Sequence, residues 1–353
     1  MLKLEPVVLA LSALSFMGCD DADSLAPPKD ASIALPQDAG SPVVTLDSGR
    51  LDATAPSVDA TITSRDGGDD AASDDLTVTL RFKGKLGSEE LACDRNFAGI
   101  GSTHATVQVT DFRFFVSDVV LRSATGVDVP VSLAEGGNFQ TRDVALVDFT
   151  DAKGSCASAG TDVNTVLTGR VPRGSYTGIK FSTSVPETLN HADPALAPAP
   201  LKAQGLSWDW LQGYRFAVAE LRYVSGGDAP DAGAPDGGWF SAADAAPSGG
   251  GGHMSGGGSR GGVVHVGSTG CLGGAGVPIH CTKQNKNLVE LSGFEPTRNT
   301  IVADLAAVFA NVDLTQETLC HGRGEECAPM FRALGIDLTT GAALPTQTVF
   351  RVE

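Results

Sequence analysis

The stretch Leu76-Thr77-Val78-Thr79-Leu80-Arg81-Phe82 decides the fold class, because apolar and polar residues alternate along it. This two-residue period is typical of a β-strand that buries one of its faces. A longer run, VQVTDFRFFVSDVVL at residues 107–121, is rich in β-branched and aromatic residues, which favour strands. The two runs together predict an all-β domain that begins at residue 76.

Further strand candidates continue to the C-terminal end of the sequence. They lie at residues 144–149, 165–170, 176–185, 215–224, 263–266, 288–291 and 348–352. Gly, Pro, Asn and Asp separate them at short intervals, as in antiparallel sandwiches and barrels. Short helices are expected at residues 303–310 and 328–334, the second ending at Gly335. We therefore predict an antiparallel β-sandwich or barrel-like domain over residues 76–353, with minor short helices.

The charge of the chain is concentrated near its N-terminus. The 353 residues include 25 Lys and Arg against 42 Asp and Glu, a net charge of −17. Residues 20–75 contain 13 Asp and no Glu. A nucleic acid would require a basic face, so we expect no nucleic-acid partner. The acidity belongs mainly to the N-terminal segment and says little about the folded domain.

The first residues have the features of an export signal. Residues 7–16 form an apolar run that is too short to span a bilayer, and Gly18-Cys19 follows it, as in a bacterial lipobox. We expect a lipoprotein signal peptide at residues 1–18 and lipidation of Cys19. The alternative is an ordinary signal peptide with a later cleavage site. The predicted location is the bacterial cell envelope, with a lipid anchor in the membrane and the protein facing the periplasm or the cell surface.

Two segments have the composition of unpacked chain. Residues 19–75 are rich in Ala, Asp, Ser, Pro and Thr and contain no aromatic residue, so they are expected to form a disordered acidic tether. Residues 225–262 contain Gly-rich runs and interrupt the strand pattern. We expect them to form a flexible insertion within the domain.

The cysteine count favours disulfides. Seven Cys are present, and removing a lipidated Cys19 leaves six in an exported chain. The sequence-local pairs Cys271–Cys281 and Cys320–Cys327 are the simplest choice, which leaves Cys93–Cys156. Other connectivities stay open, because six cysteines can pair in many ways.

Two histidines stand out as candidate metal ligands. His191 follows a predicted strand end and turn, and His265 lies in a strand that runs into Cys271. A neutral imidazole fixed near a crosslink suits a metal ion. The alternative for each is a structural histidine that only makes hydrogen bonds.

Two of the three tryptophans, Trp208 and Trp210, lie two residues apart. On a strand both indoles would face the same side. The alternative is ordinary aromatic packing. A hydrolase is disfavoured, since the sequence has neither G-x-S-x-G nor H-E-x-x-H. Nothing in the sequence brings Asp148, Glu187 and Asp193 together as a carboxylate pair.

Several segments, in this order, resemble one known family. They are DFRFFVS at residues 111–117, VPETLNH at 185–191, Pro200-Leu201 with Trp208-Asp209-Trp210 and GYRF at 213–216, HVGSTGC at 265–271, the four cysteines 271, 281, 320 and 327, and QTVF at 347–350. The resemblance is to the MbnP-like family, also called the metallo-mystery pair four-Cys motif proteins. Phe115 stands where the family pattern has Tyr.

The resemblance implies an exported, β-rich protein that binds copper and is not itself an enzyme. It implies a partner, a dihaem peroxidase-like protein of the MbnH/MauG type, that oxidises a Trp of this protein to kynurenine. Carried over by position, the copper ligands would be His191 and His265. The oxidised residue would be Trp208 or Trp210. The alternative is a cell-envelope binding module on the same β fold that binds no metal.

Overall fold

The structure, a computed structural model, describes residues 75–159, 162–224, 260–274 and 277–353. The predicted signal peptide at residues 1–18, the lipidation site Cys19 and all but the last residue of the predicted tether at 19–75 lie outside this range. So does most of the predicted insertion at 225–262. The sequence interpretation of these segments therefore stays a prediction.

The described residues fold mainly into strands. In chain order these are β1 (Asp75–Leu86), β2 (Glu89–Glu90), β3 (Phe97–Ile100), β4 (Ala105–Ser123), β5 (Asp128–Pro130), β6 (Ser132–Leu133), β7 (Val144–Asp148), β8 (Val166–Pro172), β9 (Tyr176–Ser182), β10 (Ala217–Tyr223), β11 (Gly261–Val266), β12 (Thr269–Gly274), β13 (Val277–Lys283), β14 (Val289–Ser292), β15 (Ile301–Asp304), β16 (Glu317–Cys320) and β17 (Phe350–Val352). The two α-helices are α1 (Leu305–Phe309) and α2 (Ala328–Leu334). Neither helix of the described residues is long and apolar enough to cross a membrane.

The strands form two large sheets and one ribbon. The smaller of the two sheets has the order β17–β15–β1–β8–β6, with β2 beside β1. The larger has the order β14–β9–β4–β10–β11–β16, and β3, β5 and β7 also pair with β4. Strands β12 and β13 pair only with each other and are called the ribbon below. The pairing is antiparallel except for β1 with β15 and β11 with β16, so the predicted all-β fold class is confirmed.

The main core lies between the two large sheets. Alternation along β1 and β4 turns one set of apolar side chains inward from each sheet, including Phe82 and Phe114. The centroids of these two rings lie 6.0 Å apart in an edge-on arrangement. Phe82 meets Phe181 of β9 in the same way at 5.8 Å. Burial of these rings supplies the main hydrophobic stabilisation of the sandwich.

A second, smaller core covers the opposite face of the larger sheet. Phe115 of β4 and Val218 of β10 pack there against residues of the segment 183–216. Phe115 meets Tyr214 edge-on, with ring centroids 6.0 Å apart. The segment that carries the VPETLNH and Trp208-Asp209-Trp210 motifs is thus held over the back of the larger sheet.

The main strands lie close to their predicted positions, and the differences have local causes. Strand β11 begins at Gly261 rather than Val263, inside the predicted insertion. Gly262 pairs with both β10 and β16, and its position has room for glycine only, since a Cβ there would lie 2.5 Å from the ring of Phe309. Helix α1 spans only Leu305–Phe309, since β15 continues to Asp304 and the Asp304 carboxylate caps the helix by accepting from Ala306 N at 3.1 Å. Helix α2 has the predicted bounds and ends at Gly335, which has a left-handed backbone.

Six cysteines form three disulfides, in the pairing that the sequence made simplest. Cys93 is bonded to Cys156, Cys271 to Cys281 across the ribbon, and Cys320 to Cys327 between β16 and the start of α2. The first and third are buried in the main core, whereas Cys271 is only half-buried. The disulfides therefore differ in their access to solvent.

Substitution of Gly262 by Ala tests the close packing of β11 against α1. We expect Gly262→Ala to lower the free energy of unfolding by about 1–3 kcal/mol, because the new methyl group overlaps the ring of Phe309. Chemical denaturation measures this change. The matched control is Gly274→Ala in the ribbon, where a Cβ meets nothing within 4 Å. A change of no more than about 0.5 kcal/mol is expected there. Equal effects of the two substitutions would contradict the packing described.

Candidate metal centre

Three of the sequence motifs meet at the side chain of Asn190. Its Oδ1 accepts a hydrogen bond from Tyr214 N at 3.0 Å, and its Nδ2 donates to Ser268 Oγ at 3.3 Å. Gly213 allows this approach, since a Cβ there would lie 2.4 Å from Asn190 O. Asn190 thus joins the VPETLNH segment to both the GYRF and HVGSTGC segments.

Residues Trp208 to Gly213 form a turn, not the strand considered from the sequence. Trp208 N donates to Gly213 O at 3.0 Å, and Gly213 N donates to Asp209 O at 2.8 Å. The Asp209 carboxylate also accepts from Gln212 N at 2.7 Å. The turn gives the two indoles different surroundings: Trp208 is half-buried, whereas Trp210 is 53% exposed.

The indole of Trp208 lies against the backbone of Gly267. A Cβ at Gly267 would lie 2.3 Å from Trp208 Cζ3, so only glycine leaves room for the ring. The guanidinium of Arg215 lies 5.6 Å from the ring centroid, within the range of a cation–π interaction. Trp208 is therefore fixed beside the strand end that follows His265.

The imidazole of His191 is oriented by the backbone of the same turn. Nδ1 lies 3.0 Å from Trp210 O, and a carbonyl can only accept, so Nδ1 carries the proton. In the neutral ring Nε2 then presents its lone pair. Nε2 accepts from Asn190 Nδ2 at 3.3 Å and lies 3.3 Å from Cys281 Sγ. A backbone carbonyl that holds one ring nitrogen while the other keeps its lone pair is a common arrangement for a metal-binding histidine.

His265 is fully buried in β11, among polar groups on the back of the larger sheet. Its Nε2 lies 2.7 Å from Glu220 Oε1, and its ring stacks on that of His321 with centroids 4.9 Å apart. Burial, followed by the charge of Arg215, lowers the pKa of His265 to about 3. Burial also raises the pKa of Glu220. His265 is therefore neutral at physiological pH, which is the form that binds metals.

Four polar residues of this face were not identified from the sequence as part of the site. Asp111 and Arg113 form a buried pair, with Arg113 Nε donating to Asp111 Oδ1 at 2.7 Å, and Arg113 Nη1 donates to Gln204 O at 2.9 Å. Their alternation with Phe112 and Phe114 was the available signal. Glu220 and His321 reach His265 only through strand pairing. The pairing of β10 with β11 aligns Glu220 with Val263, and the pairing of β11 with β16 aligns Val264 with Cys320. A single sequence does not specify that register.

The two predicted ligands, His191 and His265, have different neighbours. The ring of His191 contacts Trp210, Asn190 and Cys281, whereas that of His265 contacts Glu220 and His321. Among the residues that the structure describes, three metal-binding side chains converge at one place, where donor atoms of His191, Cys271 and Cys281 lie within 4.8 Å of one another. The two sulfurs there form a disulfide.

The carboxylates considered for hydrolysis have separate partners. Asp148 is buried and accepts from Thr150 N and Thr150 Oγ1 at 2.8 and 2.6 Å. Glu187 Oε1 lies 3.4 Å from His280 Nδ1, and Asp193 Oδ1 accepts a hydrogen bond from Ala195 N at 2.9 Å. These contacts give the hydrolase interpretation no support.

Burial raises the pKa of Asp148 to about 6. The folded protein therefore holds this proton more tightly than the unfolded chain does. The resulting stabilisation is complete below the ordinary pKa of 3.8 and is lost as pH rises through about 6. As pH rises across this window, we expect the free energy of unfolding of wild type to fall by about 1–3 kcal/mol relative to that of Asp148→Asn. Chemical denaturation of both proteins at each end of the window measures the difference. A difference between the two proteins that stays constant with pH would show that folding leaves the pKa of Asp148 unchanged.

Comparison with known proteins agrees with the motifs. The family model described as MbnP matches residues 75–325. The solved structure of MbnP from Methylosinus trichosporium superposes with a TM-score of 0.61 and is 27% identical in sequence. The match covers 79% of this chain and 98% of that one. No curated protein matches the sequence. Because the family model spans most of the chain and all the residues of the site, the chain belongs to the MbnP family.

Proposed function

We propose that this protein is an exported, lipid-anchored copper-binding protein of the bacterial envelope. We further propose that it is the substrate of a dihaem enzyme of the MbnH/MauG type, which oxidises Trp208 to kynurenine. The protein then acts as a carrier of copper and not as a catalyst. The observation that carries the proposal is the position of the Trp208 indole, held against Gly267 and beside Arg215, in the turn whose backbone orients His191.

The donor groups present suit copper as cargo. His265 offers a neutral imidazole with the Glu220 carboxylate beside it, and His191 offers an imidazole whose Nδ1 is held by Trp210 O. Copper ranks above the other divalent first-row metals at such nitrogen sites. The sulfurs of Cys271 and Cys281 are joined to each other, so they offer no thiolate in this state. His191 or His265 would hold the copper ion, which is the redox-active cargo of the protein.

We assign the oxidation to Trp208 because the two tryptophans take part in the site in different ways. Trp210 contributes its backbone carbonyl to His191, and its side chain is largely exposed. Trp208 places its ring itself against the segment of His265 and Ser268. Opening an indole to kynurenine adds a ketone and an arylamine at that position, groups that tryptophan lacks. The change at Trp208 therefore places new donors inside the site.

Substitution of each Trp separately tests the assignment. The full chain, produced together with its partner enzyme, is analysed by peptide mass spectrometry and by a metal count. We expect Trp208→Phe to lose both the kynurenine mass and the retained copper. We expect Trp210→Phe, the matched control, to keep both, since any residue at 210 supplies the carbonyl that His191 uses. Copper retention that is unchanged by Trp208→Phe would refute the proposed role.

A second candidate function is a binding module without a metal. It is favoured by one observation: both imidazoles already contact protein groups, His191 through Trp210 O and His265 through Glu220. In that case the histidines only support the fold. This alternative requires that the oxidised protein retain no copper, and the metal count above distinguishes the two.

A further inference from the structure

His191 points its unprotonated nitrogen at the ribbon disulfide. Nε2 lies 3.3 Å from Cys281 Sγ, and Cys281 faces Cys271 directly across the two paired strands. We propose that reduction of Cys271–Cys281 creates a thiolate metal site, formed by both cysteines and His191, for a soft or borderline cation such as Zn²⁺ or Cu⁺. This site shares His191 with the proposed copper centre, but it requires no oxidation of Trp208.

The distances fit one metal ion. A Zn²⁺ ion with Zn–S near 2.3 Å and Zn–N near 2.0–2.1 Å holds sulfur and nitrogen about 3.5 Å apart in tetrahedral geometry. The present separation of Nε2 from Cys281 Sγ is 3.3 Å. The donor atoms of all three residues already lie within 4.8 Å of one another. Once the disulfide is broken, rotation of the two cysteine side chains is enough to place both sulfurs around the ion.

The ribbon disulfide is more accessible than the other two. Cys271 is half-buried, and its neighbour Leu272 is 73% exposed. The remaining disulfides lie in the main core, and three of their four cysteines are 0% exposed. Thiol–disulfide exchange requires an attacking thiolate to reach a sulfur atom, so a small dithiol reduces Cys271–Cys281 first.

The chemistry balances in two steps. A dithiol transfers two electrons and two protons to Cys271–Cys281 and becomes a disulfide itself. The metal ion then displaces the two thiol protons and takes the Nε2 lone pair of His191. The Asn190 amide gives up its contact with Nε2 but keeps its hydrogen bond to Ser268 Oγ. Three protein ligands leave one coordination position open.

The orientation of His191 is available before reduction. Its Nδ1 is held by Trp210 O whether or not the cysteines are bonded to each other, so the ring is already aimed at the sulfur. A ligand that is held in place by a neighbouring group loses little conformational entropy when the metal binds. When O₂ or another disulfide takes up two electrons from the thiolates, the Cys271–Cys281 bond forms again, two of the three ligands are lost and the ion is released.

Cobalt is a suitable probe, because thiolate–Co²⁺ charge transfer absorbs in the near ultraviolet. The full chain is produced without the partner enzyme, so that its tryptophans are unmodified, reduced with a dithiol and freed of the reductant without air. We expect one equivalent of Co²⁺ to bind with charge-transfer absorption, to be displaced by Zn²⁺, and to be released on reoxidation. Absence of this absorption in the reduced protein would overturn the proposal.

Variants identify the ligands. Cys271→Ser combined with Cys281→Ser removes both thiols from the ribbon and should abolish the absorption under the same treatment. Absorption that persists in this variant would assign the binding to other cysteines and overturn the proposal. His191→Gln should weaken binding by about 10-fold or more. Binding as tight as that of wild type would remove His191 from the site.

A measurement on the wild-type chain tests the proposal without depending on whether the variants fold. Zn²⁺ should protect Cys271 and Cys281 from alkylation, as followed by peptide mass spectrometry, and alkylation rates that Zn²⁺ leaves unchanged would overturn the proposal. The cobalt experiment uses protein made without the partner enzyme, whereas the copper count uses the co-produced protein. Copper retention in the co-produced Trp208→Phe variant therefore bears only on the proposed copper function, and absence of the Co²⁺ absorption in the reduced wild type bears only on the thiolate site.

Discussion

The amide of Asn190 is buried, and its hydrogen bonds cannot be left unmade without a large desolvation cost. It meets this requirement with the backbone of Tyr214, the hydroxyl of Ser268 and the imidazole of His191. Each partner belongs to a different segment of the chain. The position of the Trp208 turn relative to the end of β11 and to the ribbon therefore depends on this one side chain. Replacement of Asn190 by an apolar residue of similar size would leave the backbone amide of Tyr214 without its acceptor.

The back of the larger sheet buries polar and charged side chains, which lowers the stability of the fold. Arg113 and Asp111 are buried there as an ion pair, next to the Glu220–His265 contact. Such groups cost several kcal/mol to desolvate and recover that cost only when they are well paired. A sheet face designed for stability alone would be apolar, like the face that carries Phe112 and Phe114. The polar face is instead suited to holding a neutral imidazole next to a carboxylate.

The sequence predicted those parts of the structure that depend on neighbouring residues. Alternation in β1 and β4 predicted their buried faces, and Gly335 marked the end of α2. Strand β16 and its parallel pairing with β11 were not predicted, because the paired residues lie more than 50 positions apart in the sequence. The same limit applies to the site. Asp111 and Arg113 carried a visible alternation, whereas the stacking of His321 on His265 follows from strand register alone. The turn at Trp208 was not predicted either. It depends on hydrogen bonds to the side chains of Asp209 and of the distant Asn190, which produce no periodic pattern of apolar residues in the sequence.

The parallel pairing of β1 with β15 has a consequence for the order of folding. Phe82 is aligned with Ile301, and β15 in turn pairs with β17 at Phe350. The smaller sheet thus places β1 and β17 on either side of β15, so β1 lacks this neighbour until residues 301–304 have been synthesised. Folding is slow when such long loops must close, because their closure costs entropy before the native contacts form. Until then the edge of β1 that faces β15 stays unpaired, and a chain cut short before β15 would expose this open strand edge, on which other chains could aggregate.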